Sequence, residues 1–242
     1  TLTKEFTQKY EVKYLPKEKY SNFVLQMDYT TDYFYDVVPE VQNKDCWTVS
    51  FIRKKLETPI SHTSEEYDFP DNLYQEYHQN AYAWGVFDKA KQGTSDFENP
   101  VAVIETDAEV WSNRLRVTEM WVHKDYRRQG LATVLMNVVK EHARLARNRA
   151  IILETQSCNV AAIDFYRSCG FSLIGFDSCC YKNDDISRKE VRFEMGYFLQ
   201  EKDVNIEDLK IVPEEESHKK ESEEMCKASF YNRYVPGCNE HL

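Results

Sequence analysis

Arg127-Arg128-Gln129-Gly130-Leu131-Ala132 stands between a strand-like stretch, Leu115–Val122, and a long amphipathic one, 131–147. Glycine at 130 lets the backbone approach a ligand with no Cβ in the way. The amides of the loop and of the helix start behind it then face an anion, with Arg127 and Arg128 adding charge. A pyrophosphate suits that cradle. The loop is not a Walker sequence, since no Gly-Lys-Ser/Thr follows, nor a dinucleotide fingerprint of three glycines. By spacing alone it also suits a surface arginine pair before a helix whose glycine serves the turn.

The surroundings follow two periods. Apolar residues at 131, 135, 138, 139 and 146 predict a helix, with Lys140, Glu141, Arg144 and Arg147 on its other side. Asn159–Cys169 predicts a second helix with a small and aromatic face (Ala162, Phe165, Tyr166, Cys169), closed by Gly170. Strands are expected at Tyr10–Leu15, Trp47–Ile52, Ala81–Phe87, Val101–Glu109, Leu115–Val122, Ala150–Leu153, Phe171–Phe176 and Val191–Leu199. Ser112-Asn113 is the turn of a hairpin between two of them. Lys17 to about Thr30 predicts a helix and 57–72 a loop. The acidic, aromatic Asp28–Asp36 reads as a solvated loop or as a surface for an amine-rich ligand. Helices interrupt a longer series of strands, so the class is mixed α/β.

Composition narrows the function. Of 242 residues 42% are apolar and 30% charged, enough for a core and against wholesale disorder. Seven glycines argue against propellers and collagen. No run approaches the ~18 apolar residues of a membrane span, and residues 1–10 lack the apolar stretch of a signal peptide. The net charge is −10, half of it in 201–242. Phosphate repulsion disfavours nucleic acid, and cationic partners or substrates are more natural. Seven cysteines without a Cys-x-x-Cys pair suggest reduced thiols, a cytoplasmic location and no metal site. Cys179-Cys180 reads as packing at a strand edge.

In order, Leu115–Val122, the Arg127–Ala132 loop, the helix after it, Ile151–Thr155, Asn159 and Asp164–Phe171 resemble the GCN5-related N-acetyltransferase superfamily over its cofactor half, residues 101–199. Within it Leu153–Gln156, Asn159, Phe165-Tyr166, Cys169–Phe171, Gly175–Asp177 and Tyr181 look like streptothricin acetyltransferases. Val191–Met195 is less apolar than that likeness leads one to expect, and 46–60 and the part after 200 fall outside it.

The resemblance implies a mostly antiparallel central sheet flanked by helices and splayed at the cofactor site. Residues 1–100 would form the acceptor side with an insert and 101–199 the acetyl-CoA half; the acidic extension 200–242, outside the likeness, could dock on the sheet, swap to a partner in a homodimer or stay loose. The implied activity is acetyl transfer from acetyl-CoA to a primary amine of a small, cationic molecule, a streptothricin-like antibiotic among the candidates, by direct attack in a ternary complex. A protein or peptide N-acetyltransferase and a non-catalytic acetyl-CoA sensor remain open as alternatives.

It also implies roles. Met120, Trp121 and Val122 would bond the pantetheine arm like an added strand. Arg127, Arg128, Gln129, Gly130, Leu131 and Ala132 would hold the pyrophosphate, and Asn159 would contact the cofactor. Tyr166 would protonate the departing sulfur, or else serve as a core tyrosine. Glu154 and Glu119 are the candidate bases. By strict alternation Glu119 shares a face with Val117 and Trp121, and either glutamate could instead pair with Arg116 or Arg149. His123 reads as surface, and Cys158 has no evident base beside it.

Overall fold

The computed structural model describes residues 4–64 and 71–199. In chain order the elements are α1 (Lys4–Lys9), β1 (Tyr10–Tyr14), α2 (Lys17–Tyr20), β2 (Tyr29–Gln42), β3 (Trp47–His62), β4 (Ala81–Asp88), β5 (Ala102–Glu109), β6 (Arg114–Val122), α3 (Leu131–Leu145), β7 (Ala150–Gln156), α4 (Val160–Ser168), β8 (Ser172–Asp177), α5 (Asp185–Arg188) and β9 (Arg192–Phe198). Seven strands form one sheet in the order β1-β4-β5-β6-β7-β9-β8, and β2 pairs with β3 in a separate ribbon. Neighbours in the large sheet are antiparallel except β6 and β7. A parallel pair needs a long crossover, and α3 supplies it.

The apolar period of α3 buries Leu131, Leu135, Met136, Val139 and Ala143 against one face of the sheet. They meet Ala102, Ile104, Leu115, Val117, Ile151 and Leu153, and α4 adds Ile163 and Tyr166. Leu135 is fully buried there, and truncating such a leucine to alanine costs roughly 2–5 kcal/mol. The opposite face is covered by irregular chain: Leu15, Leu25, Leu73 and Tyr74 pack on Ala83, Phe87, Val103 and Trp121. Both faces of β5 and β6 are thus closed over most of their length, and what remains open is their far end.

The N-terminal third departs from its local reading. The helix expected over 17–30 stops at Tyr20. Leu25 N–H donates to the Asp71 carbonyl and Leu73 N–H to the Phe23 carbonyl, so distant pairing overrides helical preference. Residues 29–36 lie in β2 rather than a loop, and β3 runs on to His62 through the stretch expected to be a loop. The ribbon is fastened to the core by Tyr35 and Phe51, whose rings pack on Phe193. Two of the acidic residues of 28–36 are engaged there. Asp28 accepts from the N–H and hydroxyl of Ser64, which holds its carboxyl below the usual range, and Asp36 takes Lys54. Cys179 and Cys180 sit in a bend after β8, not at a packed strand edge, with Cys179 exposed. The acidic extension and its proposed swap lie outside the described residues.

Candidate active site

The pairing of β5 with β6 carries one irregularity. Glu105 stands opposite Glu119 and Thr106 opposite Val117, so Thr118 is an extra residue, a β-bulge. Val117 and Glu119 consequently lie on opposite faces, because their partners are adjacent on β5. This corrects the expectation from alternation: Glu119 shares a face with Trp121 and not with Val117. Beyond the bulge β6 also leaves β7. Registered pairs run from Arg114↔Ala150 to Val117↔Leu153 and stop, although β6 continues to Val122 and β7 to Gln156. The middle of the sheet is parted at that end.

Trp121 turns its indole away and donates Nε1–H to the Gln26 carbonyl at 3.0 Å. Met120 packs on the main core. What Met120, Trp121 and Val122 can offer to the gap is therefore backbone. The loop that follows begins with a short turn in which His123 accepts from Asp125 N–H. His123 is half-buried and stacks edge-on against Trp121, so it is more than a surface residue.

Gly130 is the N-cap of α3 at φ +81, and no side chain caps that helix. Its first amides lack intrahelical partners. A Cβ at Gly130 would meet nothing within 4 Å, so it would stand in the open space those amides border. The other loop residues divide their roles. Arg127 braces the loop, donating to the carbonyls of Val122 at 3.2 Å and Asp28 at 3.1 Å. Gln129 accepts from the Tyr10 hydroxyl at 2.5 Å, and Leu131 is in the core. Ala132 is half-buried. Arg128 is exposed and makes no bond to a described residue. Asn159 caps α4 through its Oδ1, which accepts from Ala162 N–H at 3.2 Å.

Tyr166 is buried on α4, between Phe165 and Phe171. No described residue bonds its hydroxyl. Burial, and then the Glu119 carboxylate, push the phenol well above its ordinary range, so it stays a proton donor at neutral pH. Glu119 is half-exposed. Enclosure by protein, together with Asp71, Glu105 and Glu154, pushes its carboxyl well above the usual carboxylate range.

Glu154 is placed differently. It is exposed, ion-paired with Arg192 and 3.8 Å from Arg116. Arg116 also holds Glu109 at 2.8 Å and Glu194 at 3.5 Å. Arg149, the other partner considered, donates instead to the Ser112 carbonyl at 2.7 Å.

Three groups were missed in the sequence. Glu105 is fully buried, and its signal was a carboxylate inside the apolar run Val103-Ile104-Glu105. Asp71 and Tyr77 come from irregular chain, which carries no period to read. Cys158 does have a histidine near it, His62 at 3.8 Å, with Glu190 3.6 Å beyond. It is fully buried, and burial pushes the thiol up, so it is a packed thiol rather than a nucleophile. A cavity of about 660 Å³ lies away from this chemistry, between α1, β1 and the outer side of α3. It reaches Gln129 and Gly130 but neither Glu119 nor Tyr166.

Known proteins agree with this geometry. Streptothricin acetyltransferase A of Bacillus subtilis (strain 168) is 32% identical over 73 residues, 30% of this chain and 42% of that protein. Streptothricin acetyltransferase of Escherichia coli is 33% identical over 95 residues, 39% of this chain and 54% of that protein. The chain thus spans about half the length of the curated relatives it matches. The crystal structure of nourseothricin acetyltransferase superposes with a TM-score of 0.59 over 77% of this chain and 96% of that one, at 21% identity, a likeness of fold. The family model of the acetyltransferase (GNAT) family matches residues 50–171, taking in the parted strands, the uncapped α3 and Tyr166. With half of the sequence under that model and the sheet order and opening to accompany it, the chain belongs to the acetyltransferase (GNAT) family.

Proposed function

We propose that this protein transfers an acetyl group from acetyl-CoA to a primary amine of a small, cationic molecule. The observation that carries the reading is the parting of β6 from β7, with Glu119 on β6 just past it and near enough to Tyr166 on α4 to raise its phenol. Acetyl-CoA suits the open space. Backbone of 120–122 would take the pantetheine arm, and the amides of α3 with Arg128 would take the pyrophosphate. Asn159 would contact the arm. Bound there, acetyl-CoA supplies a thioester as acyl donor.

The rest is done by side chains. A free amine is mostly protonated at neutral pH, with a lysine-like pKa of ~10.4. Glu119, raised toward the working range, takes that proton, and Tyr166 gives one to the leaving sulfur. Glu154 has its charge engaged by Arg192 and is the weaker candidate. The face that carries Glu119 also carries Glu105, with Asp71 and Tyr77 near, and no cation among the described residues bonds Glu119 or Asp71. Carboxylates and a tyrosine favour a cationic acceptor. The streptothricin acetyltransferases among the relatives point to an antibiotic of that kind.

The test is an acceptor panel scored by free thiol release: streptothricin-type antibiotics and polyamines against peptides. Turnover confined to peptides would replace the acceptor class, and tight acetyl-CoA binding with slow hydrolysis alone would replace catalysis by sensing. Gly130→Val checks the cofactor arm. It forces a β-branched residue to φ +81 at the cradle, and acetyl-CoA affinity is expected to fall at least about tenfold in a folded variant.

A further inference from the structure

We propose that Glu105 is a positioning residue for the transfer: it holds the bulge that turns Glu119 into the cleft, and its charge makes Glu119 the group that takes the proton. The proposal rests on Glu119 being the base.

A carboxylate with no exposed surface needs a reason, since burying one unpaired costs several kcal/mol. Glu105 lies in mid-strand beside Val103 and Ile104 and is fully buried. Its two oxygens take one donor each. Oε2 accepts from the Tyr74 N–H at 2.6 Å and Oε1 from the Thr118 hydroxyl at 2.8 Å. Neither donor is a cation. His78 acts on it only from a distance and is itself bonded to Asp107 at 3.2 Å, while Arg116 is held by Glu109, Glu154 and Glu194. Stability alone would favour an ion pair or an apolar side chain at this point.

What Glu105 touches is the site. Thr118 is the extra residue of the bulge, and Glu119 is the residue registered opposite Glu105. The hydroxyl that satisfies Glu105 therefore fixes the backbone one residue from the base. Glu119 is faced by Glu105 from β5, Asp71 from the segment before β4, Glu154 from β7, Tyr166 from α4 and Tyr77. All of these are acidic groups. Of the carboxylates, Glu105 is the one directly across the ladder, and it is locked by two hydrogen bonds. Two carboxylates so placed cannot both ionise easily; burial pushes Glu105 up as well, but its two donors act against that, whereas every influence on Glu119 raises it, so Glu119 is the one that takes the proton.

The experiment is the pH dependence of kcat/KM for the acceptor in the parent, Glu105→Gln, Glu105→Asp and Glu119→Gln. Glu105→Gln keeps the size of the side chain and removes the charge. Its acidic limb is expected to move to lower pH by about one unit or more, with the KM for acetyl-CoA unchanged within about twofold. Glu105→Asp restores the charge and should return the limb close to the parent position. An unmoved limb in Glu105→Gln, when Glu119→Gln abolishes it, overturns the proposal. A limb that survives in Glu119→Gln overturns the base assignment instead. If Glu105→Gln does not fold, Thr118→Val decides the matter: kcat should fall about tenfold with the KM for acetyl-CoA kept, and an unchanged kcat refutes the positioning role.

Discussion

Glu119 and Glu154 stand on neighbouring strands at the same parting of the sheet, yet their surroundings are opposite. Glu154 meets Arg192 and Arg116 and is open to solvent. Glu119 meets Asp71, Glu105 and Glu154, and protein encloses it. The first carboxylate has its Oε2 turned to guanidinium groups. The second is pushed above the usual carboxylate range by burial and by like charges, which is the environment the proposed base role calls for. Two carboxylates at similar places in the sheet are thus set apart by the sign of their neighbours.

The sharpest way to break this contrast is Glu119→Gln. Its kcat/KM below about pH 8 is expected to fall by ~10²–10⁴, and the deficit should shrink as pH rises and the acceptor arrives neutral. A parent-like profile would erase the distinction between the two carboxylates. Tyr166→Phe comes next. Losing the hydroxyl should lower turnover by about 10²-fold while single-site acetyl-CoA binding stays near the parent value; full activity would leave Tyr166 a core residue.

Glu154→Gln is expected to stay within about threefold of the parent, since Arg192 and Arg116 both keep Glu194 and a partly exposed pair contributes little. A loss as large as that of Glu119→Gln would reverse the assignment.

The smallest effect concerns stability. The folded pKa of Glu119 lies above its unfolded value, so the stabilisation it carries is complete below about pH 4.3. It is lost as pH rises through the folded value. Glu119→Gln should match the parent Tm near pH 4 and exceed it by a few degrees at pH 8, of the order of 1 kcal/mol for a chain of this size. Scanning calorimetry across that window reads it, and a variant less stable at pH 8 would contradict the enclosure of the charge.

The legible parts were those with a repeating period. Leu131, Leu135 and Val139 announce α3, Phe193 and Met195 announce β9, and Gly170 at φ +88 ends α4 as expected of a glycine there. Alternation failed at Thr118, because a bulge breaks the very count by which faces are assigned. Local reading failed again over 17–36 and 57–62, where Leu25 and the aromatic residues of β2 answer to partners far along the chain. The site drew on both kinds of region. Tyr166 and Gly130 lie in periodic stretches that single them out as candidates, whereas Asp71 reaches Glu119 only through tertiary folding.

The parting has a cost that bears on handling the protein. Past Val117 and Leu153 the interior of a seven-stranded sheet behaves as a pair of edges, and unpaired edges invite other strands. The recess shields them from another protein but not from water. Backbone amides of 120–122 that point into the gap should therefore exchange with deuterium early in the empty protein, ahead of their strand partners on the β5 side. Filling the gap with an amide-bearing ligand should slow them, and the same filling should make the protein less prone to aggregate on storage.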